Sequence, residues 1–443
     1  MSTEDVGRRR MLAVALGAAA AVPVLGCTAG TAPAAGRPAE VRNVRDFGAV
    51  GDGVADDTAA FAAAARTDGG RAPLLYLPAG HYRITAWPEL PDYATVYGDG
   101  GDASIVGCET DTTLIALRRK QRIRFSHFGL YLTGERATAV HLDECFRCSF
   151  EGMVIRGNHL PDNHPRYLDQ RGVVLSGNTG GTAFINCDIN NFGVGLVTSC
   201  IQNYVTASKF AANHVGVLGT GNDHNAGLSL TDVEFVSDND PRTTRCHVDI
   251  DGAANNWWLT NIWFEGADTA LAVGRRGVGG PSQFGMVNCK VAARSVGLDL
   301  AYCRQPYLAN VRFDPDLADR MPVELRIDPG DCPEGTAINL ISSAGADLSD
   351  AVFPRAWHVL ARGHTTDPTF TGTVVAKGGS TDAEIARFES PDGAAVAAVL
   401  PSGALLSEAG VVLRDENGAY WRLSVGTDGA VTTAALGDRR PHR

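Results

Sequence analysis

A six-residue pattern of apolar and polar positions recurs through the middle of the chain. It reads apolar, polar, small or Asn, apolar, polar, apolar, and successive copies begin 21 to 34 residues apart. The copies begin at Phe125, Phe150, Phe184, Val205, Leu230, Leu259, Met286 and Leu308. Such alternation is typical of short strands that have one face in a core and the other in water. A unit that repeats at this interval, with loops of variable length between copies, indicates a solenoid.

The third position of the pattern predicts a bend. It is occupied mostly by Asn or Asp, at Asn186, Asp232, Asn261, Asn288 and Asn310. Asn tolerates the left-handed backbone conformation, and its side chain can hydrogen-bond the turn stacked above or below it. We therefore expect each copy to contain the end of one strand, a bend and the start of a second strand.

A further type of strand follows most copies of the pattern. Its members begin at Ala139, Val194, Val215, His247, Ala270, Val296 and Val323. Two distinct strands per repeat favour a β-helix over a sandwich. The sequence therefore predicts an all-β fold, a single-stranded right-handed parallel β-helix over residues 41–345.

The N-terminus carries a targeting pattern. Arg8, Arg9 and Arg10 precede an Ala-rich apolar stretch that is too short to span a membrane, and the stretch ends at Cys27. The pattern resembles a twin-arginine export signal ending in a lipoprotein box. The resemblance implies a signal over residues 1–27, a linker over 28–40 and a lipid on Cys27, with simple cleavage and secretion as the alternative. Membrane contact would then occur only through this anchor.

Composition narrows the choice of partners. The chain has 443 residues, 20% of them charged, and a net charge of −11. The absence of a basic cluster after the signal argues against a nucleic-acid partner, whereas an anionic glycan is not excluded. Nine cysteines follow Cys27, and their repeat positions indicate core packing rather than disulfides or a metal site. No cofactor is indicated; calcium at Asp238 and Asp240 is the weaker alternative to an Asx-rich turn.

An opening block extends from Asn43 to Arg66, with three glycines suited to a tight hairpin and an Ala-rich helix after Asp56 and Asp57. It resembles the opening signature of the pectate lyase superfamily, in the grouping with glycoside hydrolase family 28-related proteins, epimerase-like domains and phage tailspikes. The resemblance covers about residues 41–344. It implies that the block caps the first coil, that its carboxylates are structural, that the partner is a polysaccharide and that the protein could form trimers.

The fifth position of the pattern supplies the candidate site. In a β-helix it points outward, and successive coils stack it at about 4.8 Å. We use the name outer column for the charged and aromatic residues at this position, which are Asp188, Lys209, Glu234, Trp263, Lys290 and Arg312. Glu265 and Arg294 extend the same face. Three insertions, beginning near Asn158, Asp238 and Gly274, could form walls around it.

Several chemistries fit these residues. Asp188 and Glu234, with Glu265 nearby, could provide the two carboxyl groups of a glycosidase. Lys209 could instead act as the base of an eliminative lyase, with Lys290, Arg294 and Arg312 holding acidic sugars. Trp263 could stack on a sugar ring. An ordinary ladder of surface ion pairs would look similar.

The function therefore stays open between two classes. One is an exported polysaccharide hydrolase or lyase; the other is a glycan-binding, adhesive or structural envelope solenoid. The NTD, GHG, RIK and DPHE segments of characterised pectinases and alginate epimerases are absent. Past a linker over 346–370, turn dipeptides such as Asn417-Gly418 and Asp428-Gly429 predict a small C-terminal β-meander over 371–437.

Overall fold

The computed structural model describes residues 41–67, 72–200, 202–221, 227–253, 256–315, 321–345, 348–360, 386–389, 395–399, 405–407 and 410–437. Cys27 and the rest of the export pattern lie outside these residues. Contacts divide the chain into two units, Met1–Arg362 and Gly363–Arg443. Within the described ranges, no helix has the length and apolar character needed to cross a bilayer.

The first unit is the predicted parallel β-helix, built from three rows of strands that we name A, B and C in the order in which each coil passes through them. Row A contains Val41–Asn43, Leu74–Leu77, Thr95–Gly98, Arg124–Ser126, Ser149–Glu151, Ala183–Ile185, Asn203–Thr206, Leu228–Thr231, Asn256–Thr260, Thr336–Ile341 and His358–Leu360. Row B contains Asp52–Asp56, Gly80–Arg83, Ser104–Cys108, Gly129–Leu132, Val154–Arg156, Asp188–Asn190, Lys209–Ala211 and Glu234–Val236. Row C contains Thr113–Arg118, Thr138–Asp143, Arg171–Ser176, Val194–Thr198, Val215–Gly219, Cys246–Ile250 and Val323–Ile327.

Four strands pass through more than one row. Trp263–Val273 runs through rows B and C, Gln283–Leu300 through all three, and Gln305–Asp314 and Thr336–Ile341 through rows A and B. All pairings within the solenoid are parallel, as a coil that repeats in one direction requires.

The first apolar position of each repeat lies inside the coil and forms stacks along the solenoid. The rings of Phe125, Phe150 and Phe184 stack with centroids 5.0 and 4.8 Å apart. The strand spacing of a sheet, about 4.8 Å, sets this separation, because neighbouring coils bring the same position into register. Phe210, Phe235 and Phe264 form a second such stack from row B.

The predicted bends are confirmed. The third position has a positive φ, between 49° and 60°, in all eight copies of the pattern, from His127 and Gly152 to Asn310. Side-chain amides connect the bends of adjacent coils: Asn310 donates to Asn288 over 3.0 Å, and Asn339 donates to Asn310 over 2.8 Å. Ala207 is the member of this series that has neither Gly flexibility nor a polar side chain.

The opening block forms the first coil and its cap. Its two strands pair with those of the next coil, and the helix Thr58–Ala65 buries Phe61 against the core. The buried carboxylate of Asp57 accepts hydrogen bonds from Val50 N at 2.6 Å and Gly51 N at 3.2 Å. Asp56, rather than Asp57, accepts from the first helical amide, that of Thr58. These contacts agree with a structural role for the carboxylates.

The nine described cysteines are all free and buried, in agreement with a packing role. Cys289, for example, pairs in register with Val311. Burial raises the pKa of the Cys187 thiol to about 12, so this side chain stays protonated and unreactive at neutral pH.

The solenoid extends beyond residue 345. His358–Leu360 pairs in parallel with Thr336–Ile338, within the segment expected to be a linker. The described part of the second unit contains two antiparallel sheets of three strands each. The first consists of Ala386–Glu389, Ala395–Val399 and Leu405–Ser407. The second consists of Val411–Arg414, Tyr420–Val425 and Val431–Gly437. Gly418 and Gly429 have positive φ at the predicted hairpin turns.

Candidate functional site

The outer column forms with the predicted register. Asp188 pairs with Lys209, Lys209 with Glu234 and Glu234 with Trp263. Trp263 in turn pairs with Lys290, and Lys290 with Arg312. Six residues that are distant in sequence therefore share one line on the outside of row B. The line exists because the side-chain period of a strand is two and every coil repeats the same register.

The column begins where a loop ends. Residues 99–103 fold over the two preceding members of the row, Gly129 and Val154, both of which are buried. A Cβ on Gly129 would stand 2.3 Å from Gly101 O, so the close approach of the loop requires glycine here. Asp188 is thus the first member of the line after these two buried residues to reach solvent.

Asp188 has an unusual electrostatic environment. Burial raises its pKa, and the carboxylates of Asp102 and Glu234 act in the same direction. The cations of Lys209 and Arg156 oppose this rise. A carboxyl group whose burial favours the neutral form is suited to donate a proton.

A phenol hydrogen-bonded to Asp102 lies on the same face. Tyr131 donates to Asp102 over 2.6 Å, and the guanidinium of Arg156 lies 4.9 Å from the centre of its ring. Burial, together with this hydrogen bond, raises the pKa of Tyr131 to about 12, so the phenol stays protonated. These residues connect the loop over residues 99–103 to the start of the outer column.

Farther along, the column is a chain of paired groups. Lys209 Nζ lies 3.8 Å from Glu234 Oε2. Trp263 is exposed over 47% of its surface, and its indole Nε1 donates to Glu265 Oε2 over 2.9 Å. Lys290 Nζ lies 4.2 Å from the centre of the Trp263 ring. The Trp263 ring is therefore held by its hydrogen bond to Glu265 and by the ammonium group of Lys290. No loop covers it, since nearly half of its surface is exposed.

The two predicted arginines differ in position. Arg312 continues the column as its exposed last charged member. Arg294 lies three residues beyond Val291, in the corner that leads to row C, where its guanidinium donates to Asp268 over 2.8 Å. Arg294 therefore lies outside the column. Its guanidinium, which was expected to bind substrate, is paired with Asp268 instead.

Two of the three insertions meet each other beside row B. His159, from residues 157–170, is fully buried, and its Nε2 lies 2.9 Å from the carbonyl oxygen of Thr243 in residues 237–245. The rings of His164 and His214 lie 5.5 Å apart at the same junction. Burial lowers the pKa of His159 and brings that of His214 to about 4. Neutral imidazoles thus hold this wall together.

Asp238 and Asp240 form the Asx turns that were preferred over a calcium site. The amide of Asp240 donates to Asp238 over 3.0 Å, and the amide of Arg242 donates to Asp240 over 2.8 Å. The Arg242 guanidinium also binds Asp240, and the pKa of Asp240 falls to about 2 because of these hydrogen bonds. No metal-ligating group of three or more side chains occurs within the described residues.

The third insertion serves a different face, which sequence reasoning missed. Its Arg275 and Arg276 reach row C, where Arg275 binds the buried carboxylate of Asp249 at 2.7 Å and Arg276 binds Asp299 at 2.7 Å. A second arginine, Arg245, also binds Asp249, with its Nη2 atom 2.6 Å from Asp249 Oδ2. A signal was present, because polar residues interrupt the apolar row C strands at Asp249 and Asp299, but the partners come from loops that no periodicity predicts.

Fold and sequence together define a parallel β-helix with a pectate lyase-like N-terminal segment. The family model described as rhamnogalacturonase A/epimerase, pectate lyase-like, matches residues 41–130, the first part of the stretch where the resemblance was expected. Mannuronan C5-epimerase AlgE2 of Azotobacter vinelandii is 45% identical over 78 residues, and the alignment covers 17% of this chain and 7% of that protein. The matched part is thus less than a tenth of the curated relative.

Two solved structures match this chain at low sequence identity and with TM-scores below 0.5. The catalytic unit of the GH87 α-1,3-glucanase from Streptomyces thermodiastaticus is 13% identical, with a TM-score of 0.48 over 77% of this chain and 72% of that one. ORF18 of Geobacillus virus E2 is also 13% identical, with a TM-score of 0.45 over 90% of this chain and 74% of that one.

Proposed function

We propose that this protein binds an acidic polysaccharide along the outer column and hydrolyses it, with Asp188 as the general acid and Glu234 as the general base. One observation carries the proposal: two carboxyl groups in different environments stand in register two coils apart. Asp188 is half-buried with a raised pKa, whereas Glu234 is exposed and ion-paired with Lys209. Such a difference between two carboxyl groups is what separates acid from base in glycosidases.

The spacing supports an inverting reaction. Two coils separate the strand axes by about 9.6 Å, close to the upper end of the roughly 6.5–9.5 Å range of inverting enzymes. In the proposed reaction Glu234 takes a proton from water, the water oxygen attacks the anomeric carbon, and the glycosidic bond breaks. Asp188 gives its proton to the leaving oxygen, and solvent restores both groups.

The rest of the column is proposed to position the sugar chain. Trp263 offers an exposed indole for stacking on a sugar ring, fixed by Glu265 and Lys290. Arg312, which has no ion-pair partner among the described residues, is available for a sugar carboxylate. An eliminative reaction with Lys209 as the base is less well supported, because Lys209 Nζ is already engaged by Glu234 Oε2 at 3.8 Å.

The comparisons support the substrate class. The family model and the curated relative are both named for enzymes of acidic polysaccharides, although their matches lie in the cap and first coils rather than at the outer column. The polysaccharide class therefore rests on both the matched segment and the column, whereas the assignment of Asp188 and Glu234 rests on the column.

The test is a panel of acidic polysaccharides assayed for new reducing ends and, separately, for unsaturated uronates. Asp188→Asn and Glu234→Gln should each lower kcat by about 10²–10⁴-fold. Glu151→Gln, an exposed carboxylate of row A, is the matched control and should retain full activity. Unsaturated products would assign an eliminative reaction instead. Binding without turnover that is lost in Trp263→Ala would assign a non-catalytic glycan-binding protein.

We also propose that the protein is exported and anchored through a lipid on Cys27. The twin arginine pattern and the residues before Cys27 support this. Metabolic labelling with a radioactive fatty acid should mark the wild type and not Cys27→Ser. Label in neither protein would indicate cleavage and secretion.

A further inference from the structure

The outer face of row A carries exposed aromatic side chains at a regular interval. Tyr204, Trp258 and Tyr307 are exposed over 45%, 44% and 37% of their surfaces. Register places them on one line, because Tyr204 pairs with Ser229, Ser229 with Trp258, Trp258 with Gly285 and Gly285 with Tyr307. We name Tyr204, Trp258 and Tyr307 the aromatic row. It lies across the bend from the outer column, on a different face of the solenoid.

Small residues separate the rings. Ser229 and Gly285 occupy the two intervening coils, so an aromatic side chain recurs in every second coil. A Cβ on Gly285 would stand 2.2 Å from two ring carbons of Trp258. The indole therefore lies over the backbone of Gly285, along the sheet rather than upright from it. Since Trp258 is exposed over 44% of its surface, part of this ring is open to a stacking partner.

Another exposed aromatic residue lies beside the row but off its line, because the position in register with Tyr204 two coils earlier is Ser149. Phe146, exposed over 42% of its surface, pairs with Gly180. Phe146, Gly180, Gly181, Gln202 and Tyr204 line a surface cavity of about 510 Å³, together with Arg147. Glycines thus form the floor of a depression between two exposed rings, two coils apart.

The surroundings of the aromatic row are uncharged. The row A segments Asn203–Thr206, Leu228–Thr231 and Asn256–Thr260 contain no Asp, Glu, Lys or Arg, and neither do residues 283–287 and 305–309. The outward positions two residues after the row hold Thr206, Thr231, Thr260, Val287 and Ala309, and those two residues before it in the last three coils hold Asn256, Gln283 and Gln305. Aromatic faces beside hydroxyl groups, without charge, fit a neutral sugar chain.

We propose that the aromatic row is a second carbohydrate-binding surface, which holds a neutral polysaccharide parallel to the solenoid axis. Rings two coils apart are separated by about 9.6 Å, close to the length of a disaccharide unit in an extended chain. Every second sugar would stack on a ring, and the hydroxyl groups of the threonines would bind the sugars beside it. This surface is independent of the proposed hydrolytic site and would retain the protein on a glycan matrix.

Affinity electrophoresis of the full chain through gels that contain hydroxyethylcellulose, galactomannan or a soluble mixed-linkage glucan tests the proposal. At least one of these polymers should retard the wild type. Trp258→Ala, Tyr204→Ala and Tyr307→Ala should each weaken binding by roughly three- to tenfold, the value of one stacked ring. Tyr93→Ala, which removes an exposed aromatic residue from a turn, is the matched control and should migrate like the wild type.

Gly285→Val tests the geometry separately from composition. It keeps every ring but displaces the Trp258 indole from its seat, so it should weaken binding as much as Trp258→Ala. Thermal unfolding of this variant shows whether it is folded, and Ser229→Ala provides a second, milder change in the row that should leave binding intact. Equal binding by the wild type and Trp258→Ala, or no retardation by any of the polymers, would overturn the proposal.

Two further readouts separate this surface from other possibilities. Trp263→Ala should leave retardation by neutral polymers unchanged, and Trp258→Ala should leave cleavage of short acidic oligosaccharides unchanged, so each proposal can fail alone. Sedimentation of Trp258→Ala provides the other. A wild-type oligomer that dissociates in this variant would identify the row as an interface between copies of the chain and would overturn carbohydrate binding.

Discussion

At the residue scale, the bend positions show how one torsion angle shapes the whole repeat. The bends occupied by Asn or Asp use residues that tolerate a positive φ, whereas Ala207 adopts a φ of 49° without that advantage. A left-handed conformation costs an ordinary L-residue about 1–2 kcal/mol. The sequence pattern predicted the bends from the Asn column alone, and it did not reveal this weaker member.

We predict that Ala207→Asn raises the free energy of unfolding by about 1 kcal/mol. Asn favours the left-handed backbone, and its amide could join the bends at Asn186 and Asp232 on either side. Urea unfolding measures the change. The same replacement at Ala183, in an extended strand, should bring no gain, and an equal gain at both sites would contradict the explanation.

A second prediction at this scale concerns the pH dependence of cleavage. A general acid works only when protonated, so activity should fall as pH rises through the pKa of Asp188. Lys209 lowers this pKa and Asp102 raises it. The high-pH limb of kcat/KM should therefore move to higher pH in Lys209→Met and to lower pH in Asp102→Asn. Shifts in the same direction, or no shift in either variant, would contradict the assignment of Asp188.

At the scale of the elements, stacked rings connect one coil to the next. Phe184 is fully buried, and its ring stacks on Phe150 at 4.8 Å. We predict that Phe184→Ala lowers the free energy of unfolding by about 3–5 kcal/mol, because it leaves a cavity between coils that cannot collapse. Ile185→Ala, at the exposed neighbouring position, should cost much less. Chemical unfolding of both variants checks the difference.

The junction between residues 157–170 and 237–245 should respond to acid. The folded state lowers the pKa of His159, and that of His214 to about 4 from a reference of 6.5. A lowered histidine pKa stabilises the folded loop above pH 6.5, and this stabilisation is lost as the pH falls toward 4.

Hydrogen exchange as a function of pH measures this effect. After correction for the intrinsic rate, amides of the two insertions should exchange faster at pH 4.5 than at pH 7. Amides of the row C strand Val215–Gly219 serve as the internal reference. His159→Gln should remove part of the pH dependence, and insertions whose protection is the same at both pH values would show that the imidazoles do not hold the wall.

At the scale of the whole molecule, a filled solenoid separates its faces. Asp188 and Tyr307 are five coils apart along the axis, about 24 Å. We predict that the effects of Asp188→Asn on cleavage and of Tyr307→Ala on neutral-polymer binding are additive in the double variant, since sites this distant rarely couple. An interaction free energy above about 0.5 kcal/mol would show that the two faces communicate.

The sequence predicted the outer column because that prediction needed only register. Lys209 and Glu234 each sit five positions into a repeat, and parallel coils carry equal positions onto one line. The column depends on nothing that varies between coils. The structure extended the solenoid beyond residue 345, to His358–Leu360, where no copy of the pattern indicated another rung.

The surroundings of the column depended on loops, and these could not be predicted. Asp102 approaches Asp188 because residues 99–103 fold over Gly129, a contact between segments with no shared period. Arg275 reaches Asp249, and His159 reaches Thr243, by similar long-range contacts. The indole of Trp258 lies along the sheet because its partner on the neighbouring coil, Gly285, has no side chain to block it.

The sequence by itself determined the repeat, its bends and the residues that share each outer line, because strand periodicity and backbone preference are local properties that every coil repeats. The tertiary structure alone decided which of those residues are buried, paired or exposed. Burial and charge depend on the path of each insertion through space, and that path is set by contacts between residues far apart in the chain.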